Sequence, residues 1–167
     1  CARFQANPKE SHLRAVKRII RYLNKTKDFG LFYPKYFPFE LVSYSDADFG
    51  GSRTDRKSTS GTCHFIGKSL VSWFSKKQNC VSLSTCEAEY ISAALACTQV
   101  LYMQQTLRDF DIHLSKSIIY CDNTSAINLS KNPVNHSRTK HIDIRHHFLR
   151  DNIEKGTICL EYVQTDN

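Results

Sequence analysis

The period of the hydrophobic positions changes several times along this chain, and each change marks an element. In PKESHLRAVKRIIRYLNK (8–25), Leu13, Val16, Ile20 and Leu23 recur at the spacing of one helix face. Asn7 is placed to cap that helix, with Pro8 at its first position and Glu10 at its third. DFGLFYPKYFPF (28–39) holds two prolines and reads as a turn-rich connector. From about 39 to 46 the pattern alternates, which predicts a strand running into two aspartates and a Gly-Gly turn in SYSDADFGG (43–51). After the polar SRTDRKSTSG loop, GTCHFIG (61–67) and LVSWFS (70–75) alternate again, with a hairpin turn at Gly67-Lys68-Ser69. These three strands form an antiparallel meander.

Helical spacing returns from Ser84 or Thr85 to Phe110, where Tyr90, Ala93, Ala94, Cys97, Leu101 and Leu107 form the apolar stripe. Ser84 or Thr85, followed by Glu87 or Glu89, reads as a capped start with acids near the positive helix end. SIIYCDN (117–123) is a short apolar strand ending in Asp122. A short helix (TSAINLSKN), a polar linker (PVNHSRTK), a basic helix (HIDIRHHFLRDNIEKG) and a last strand, TICLEYVQT (157–165), follow. Helices between the later strands imply parallel crossovers. The expected fold is α/β: a mixed five-stranded sheet, three strands antiparallel and then two parallel, flanked by helices. An extra N-terminal helix precedes it. The boundary falls between a basic helix and connector, 1–38, and a main domain, 39–167.

At 167 residues the chain can bury one substantial core. No stretch approaches the roughly 20 apolar residues of a membrane span, so no membrane partner is expected. The chain opens on Cys rather than Met and reads as a piece of something longer. Seven cysteines, an odd number without a C-x-x-C pair, suggest reduced thiols in an intracellular protein of cytoplasm or nucleus. The net charge of +7 suits a polyanionic partner. Arg14, Lys17 and Arg18 on the first helix are candidates for phosphate contact, although a solvated face explains them equally well.

The acids sharpen this. Asp46 and Asp122 end strands that should be parallel neighbours, and carboxyl ends of strands are where open sheets place ligands. Glu87 and Glu89 sit one turn into the helix between them. Three converging carboxylates repel one another unless cations neutralise them. An oxygen-only donor set, with no Cys or His of fitting spacing, points to Mg²⁺ or Mn²⁺. Two such ions, about 4 Å apart, suit phosphodiester hydrolysis.

In order, SDADFGG, TSGTCHFIG, SWFSKKQ, LSTCEAEYISA, YCDNTSAI and RTKHIDIRHHFLRD resemble the ribonuclease H domain of copia-type LTR retrotransposon polyproteins. The upstream HLRAVKRIIRYLNKTKDFGLFY resembles the segment that tethers it to the reverse transcriptase. The resemblance implies a metal-dependent endoribonuclease that cleaves the RNA strand of RNA–DNA hybrids, with two Mg²⁺ or Mn²⁺ ions. It places the first acid on Asp46 and the third on Asp122. The glutamate falls on Glu89, whose E-Y-I-S-A-A context fits the family better than that of Glu87, which becomes a first-turn helix charge. Asp48 becomes a turn residue. The family carries a fourth Asp early in a helix after the last strand. Here the chain is expected to stop short of that helix, with Asp166 as the alternative stand-in.

Ser84, Thr85, Asn123 and Ser125 flank the acids and could hydrogen-bond 2′-hydroxyls and phosphates, although capping explains Thr85 and Asn123 equally well. Arg138, Lys140 and Arg145 are phosphate candidates in the later basic segment. His141, His146 and His147 fit packing or phosphate better than metal. Two other functions stay open. One is a host-domesticated copy that cuts double-stranded RNA, and the other is a non-catalytic nucleic-acid-binding remnant. An integrase-type site is disfavoured because its acids run Asp, Asp, Glu.

Overall fold

The computed structural model describes residues 4–36, 38–114, 116–131 and 143–165. They divide into two compact units, Cys1–Tyr33 and Pro34–Asn167.

The first unit carries α1 (Glu10–Lys25), an amphipathic helix none of whose residues is buried. It starts two residues later than its sequence suggests. Lys9, extended at φ −106 and ψ 162, takes the cap position in place of Asn7. The reason is local: the His12 ring reaches back, and the Lys9 N–H donates to its Nδ1 at 3.0 Å. Pro8 has no N–H to satisfy and stays outside the helix.

The second unit is built on β1 (Leu41–Asp48), β2 (Thr59–Ile66), β3 (Ser69–Lys77), α2 (Thr85–Asp109), β4 (Ser117–Cys121), α3 (Thr124–Lys131), α4 (Asp143–Glu154) and β5 (Ile158–Tyr162). The sheet order is β3-β2-β1-β4-β5. β1–β2 and β2–β3 are antiparallel, whereas β1–β4 and β4–β5 are parallel. This is the mixed five-stranded arrangement that the change of period predicts. The β2–β3 hairpin turns at Gly67, whose φ of +58 is a left-handed value that glycine adopts without strain.

Alternation decides which face is covered. Leu41, Ser43 and Ser45 of β1 are buried, as are Ser60, Thr62 and His64 of β2, Ile119 and Cys121 of β4, and Ile158 and Leu160 of β5. α2 packs on β1, β2 and β4 and touches α3 and α4. It is buried far beyond the expected stripe, because Ala88, Ile91, Ala96 and Val100 are covered as well as Tyr90, Ala93, Ala94 and Cys97. A helix held between a sheet and two other helices has no broad solvent face, so its periodicity understates its burial.

The buried polar residues between the strands are matched to one another. His64 is fully buried; Ser43 Oγ lies 2.7 Å from its Nδ1 and Thr62 Oγ1 lies 3.1 Å from its Nε2. Burial alone pulls this imidazole down to about 4, so it is neutral in the folded protein near neutral pH. Among the described residues six cysteines are free thiols, none in a disulfide. No helix among the described residues is long and apolar enough to cross a membrane.

Candidate metal centre

The parallel pairing of β1 with β4 ends at Ser45 and Cys121. Asp46 and Asp122 are the next residue of each, and so leave the paired region side by side. Asp46 does not end its strand, as the sequence suggests. β1 runs on to Asp48, because antiparallel pairing with β2 continues through Ala47–Ser60 and Asp48–Thr59. The Asp48 carboxylate lies over the Gly51 α-carbon, where any Cβ would collide with it, so this side chain packs against the turn that follows β1.

Glu89 comes from the first turns of α2. Ser84 caps that helix by accepting the Glu87 N–H at 3.2 Å, and Glu87 Oε2 accepts the Leu83 N–H at 2.8 Å. The reciprocal pair satisfies two otherwise orphan donors. It occupies Glu87 in starting the helix and leaves Glu89 to face the strands. There Glu89 Oε1 accepts the Ala47 N–H at 3.0 Å, and three residues on, Ser92 Oγ donates to the Asp46 carbonyl at 2.7 Å. The peptide unit joining Asp46 to Ala47 is thus gripped at both ends by one turn of α2.

Glu89 is only 6% exposed, and its Oε2 has no hydrogen-bond partner among the described residues. Burial, and then the neighbouring Asp122 and Asp46 carboxylates, push its carboxyl up to about 8 against the single stabilising bond from Ala47. An acid in that condition is short of positive charge. Ligand atoms of Glu89, Asp122 and Cys121 lie within 4.8 Å of one another. Asp46 stands outside that cluster and reaches Glu89 through its charge. Asp122 is held from the other side, where the Thr165 hydroxyl donates to its Oδ2 at 2.6 Å.

A thiol stands beside these acids: the Cys121 Sγ belongs to the same cluster. Cys121 escaped notice because its partner Glu89 is remote in sequence, and only the packing of α2 on β4 brings the two together. Thr165 and Ser92 were equally invisible, since neither carries a sequence signal beyond being polar. Ser84 is the α2 cap and Thr85 its first residue. Asn123 caps α3 by accepting the Ala126 N–H at 3.0 Å, and Ser125 lies exposed in the first turn of α3. Arg145 belongs to α4, whereas Arg138, Lys140, His141 and Asp166 fall outside the described residues.

No protein-family model matches the chain. Curated proteins do. Over 98% of its length the chain is 41% identical to the retrovirus-related Pol polyprotein from transposon RE1 of Arabidopsis thaliana, of which it covers 11%. It is 39% identical, over 99% of its length, to the corresponding polyprotein from transposon TNT 1-94 of Nicotiana tabacum, covering 12% of it. Over nearly its whole length the chain is homologous to copia-type retrotransposon Pol polyproteins. It spans about a tenth of the length of these Pol polyproteins. Solved structures give the fold of this Pol segment. It superposes on LC11-RNase H1, isolated from compost, with a TM-score of 0.55 at 12% identity, over 75% of this chain and 85% of that one. It superposes on the foamy viral protease-reverse transcriptase in complex with dsDNA with a TM-score of 0.59 at 16% identity, over 96% of this chain and 30% of that one. The copia-type segment has the ribonuclease H fold.

Proposed function

We propose that this segment is a metal-dependent endoribonuclease that cleaves the RNA strand of RNA–DNA hybrids, acting beside a reverse transcriptase in the same polyprotein. The observation that carries the reading is Glu89. This buried carboxylate has one oxygen without a partner, and it faces Asp122 across a gap within 4.8 Å at the strand ends where Asp46 also emerges. Such an arrangement is costly to fold and becomes favourable with a cation between the acids.

Asp46, Glu89 and Asp122 are the residues that would hold Mg²⁺ or Mn²⁺. Two such ions, when bound, supply an activated water and stabilise the leaving oxygen of an in-line displacement. The protein's own work is positioning. Ala47 and Ser92 fix Glu89 and the backbone of Asp46 relative to each other, and Thr165 orients Asp122. Ser84, Thr85, Asn123 and Ser125 flank the acids on helix starts; Ser84, Thr85 and Asn123 serve as caps and first-turn residues there, and Ser125 offers a hydroxyl for a 2′-hydroxyl or phosphate. Arg138, Lys140 and Arg145 would add phosphate contacts.

The reverse-transcriptase setting rests on the Pol relatives and on the likeness to the foamy viral protease-reverse transcriptase over nearly the whole chain. In that setting residues 1–38 act as the tether and 39–167 as the nuclease. The test is parallel digestion of a labelled RNA–DNA hybrid and a sequence-matched double-stranded RNA with Mg²⁺. Preferential scission of the hybrid's RNA strand supports the proposal. Equal or greater scission of the double-stranded RNA overturns its substrate.

A further inference from the structure

Beneath the carboxylates, the wall of the site is a thiol. Cys121 is the last residue of β4 and fully buried, and its Sγ lies within 4.8 Å of ligand atoms of both Glu89 and Asp122. It makes a long hydrogen bond to the Asn123 carbonyl at 3.9 Å and interacts with the Ser45 side chain. The second observation is independent of the thiol. Glu89 is 94% buried, and its Oε2 lacks any partner among the described residues, in the same cluster.

Two carboxylates and one sulfur do not make a donor set for a hard ion alone. Mg²⁺ is bound through oxygen, whereas sulfur selects Zn²⁺ and softer ions. Zinc sits about 2.3 Å from sulfur and about 2.0–2.2 Å from carboxylate oxygen. Donors sharing one such ion stand roughly 3.3–3.7 Å apart, so the present cluster needs to close by only about an ångström. Asp122 would have to move to do this, against the hydrogen bond it accepts from Thr165.

We propose that Cys121, Glu89 and Asp122 form a site for thiophilic divalent ions, Zn²⁺ and Cd²⁺, whose occupancy withdraws Glu89 and Asp122 from Mg²⁺ and silences cleavage. The thiol proton leaves to buffer as the sulfur–metal bond forms. The silencing rests on the proposed function, whereas the metal binding rests on the cluster alone. The remaining half-buried cysteines, Cys86 near Glu87 and Glu89 included, stand outside this cluster.

The probes are Cd²⁺ and Zn²⁺ themselves. Wild-type protein titrated with Cd²⁺ should develop thiolate-to-metal charge-transfer absorbance. X-ray absorption of the zinc-loaded form should place one sulfur among oxygen neighbours. Cys121→Ser should lose the sulfur signals. Glu89→Gln, which keeps the thiol, should weaken Cd²⁺ binding by about 10-fold or more, since even losing a group behind a ligand costs that much. In hybrid cleavage, inhibition by Zn²⁺ is scaled to each protein's own Mg²⁺-supported rate. The Zn²⁺ concentration for half-inhibition should rise about 10-fold or more in Cys121→Ser. Unchanged absorbance and zinc sensitivity in a folded Cys121→Ser protein would overturn the site. If that variant does not fold, a sulfur-free shell around zinc in the wild type overturns it instead. Zinc bound through sulfur by a wild-type protein that never cleaves with Mg²⁺ supports the site and sinks the nuclease reading.

Discussion

Two side chains in this fold are held in the neutral form by burial, and they bend its stability in opposite directions. Glu89 is raised from 4.5 to about 8, so in metal-free protein it contributes stability below 4.5 that is lost as pH rises towards 8. His64 is lowered from 6.5 to about 4, so the unfolded chain takes up a proton first on acidification, and stability is lost as pH falls from 6.5 towards 4. Between roughly 4.5 and 6.5 the two slopes, each about 1.4 kcal/mol per pH unit, oppose one another, and above 6.5 only Glu89 acts. Chemical denaturation in EDTA should therefore show near-constant stability up to pH 6.5 and a decline from there to pH 8. Glu89→Gln should remove the decline and stabilise the metal-free protein at pH 7 by on the order of 3 kcal/mol. A variant no more stable than wild type there would mean that Glu89 is not short of charge. Helix spacing says only that Glu87 and Glu89 cannot share a face, and the resemblance of the E-Y-I-S-A-A context to the family is what selected Glu89. The capping role of Glu87 is what that choice leaves over.

At the scale of elements, the junction of α2 with β1 is the part that positions chemistry. Ser92 is fully buried and its hydroxyl lies within hydrogen-bonding range of two carbonyls, Asp46 at 2.7 Å and Gly61 at 3.2 Å. Ser92→Ala leaves those acceptors without their side-chain donor, so it should cost about 1–3 kcal/mol. It should also reduce cleavage by more than that loss of folded protein explains, because the backbone carrying Asp46 is released. Urea melts and rates per folded molecule separate the two, and a rate loss no greater than the unfolded fraction would refute the positioning role. The order of elements was legible because the hydrophobic period switches cleanly between two and 3.6, and the connections between later strands are long enough for the crossovers that parallel pairing needs. Strand ends were less legible. Asp46 and Asp48 look like turn formers by residue type, yet β2 pairs with the backbone through both, and pairing with a remote strand leaves no local trace. The same blindness hid Cys121, whose partners belong to its neighbour in the chain and to a helix more than thirty residues upstream.

The whole molecule carries +7 and is homologous to about a tenth of the length of Pol polyproteins. A cationic chain that meets a nucleic-acid backbone releases counterions, so affinity for a hybrid duplex should fall linearly on a log–log plot as salt rises. Replacing Arg14, Lys17 and Arg18 together should flatten that slope by up to about 3 if all three meet phosphate. A slope near zero in the wild type would remove the electrostatic footprint altogether. The central claim, however, is that Asp46, Glu89 and Asp122 hold a metal that cuts RNA. The most direct measurement is the initial rate on an end-labelled RNA–DNA hybrid, with Mg²⁺, Mn²⁺ or EDTA, for wild type, Asp46→Asn, Asp122→Asn and Asp166→Asn. The account predicts metal-dependent scission of the RNA strand, abolished by EDTA and reduced at least about 100-fold (roughly 2.7 kcal/mol of barrier) by Asp46→Asn and by Asp122→Asn. Asp166→Asn reports whether that residue supplies the fourth acid. Scission that persists in EDTA, or at the wild-type rate in a folded Asp122→Asn protein, would contradict it.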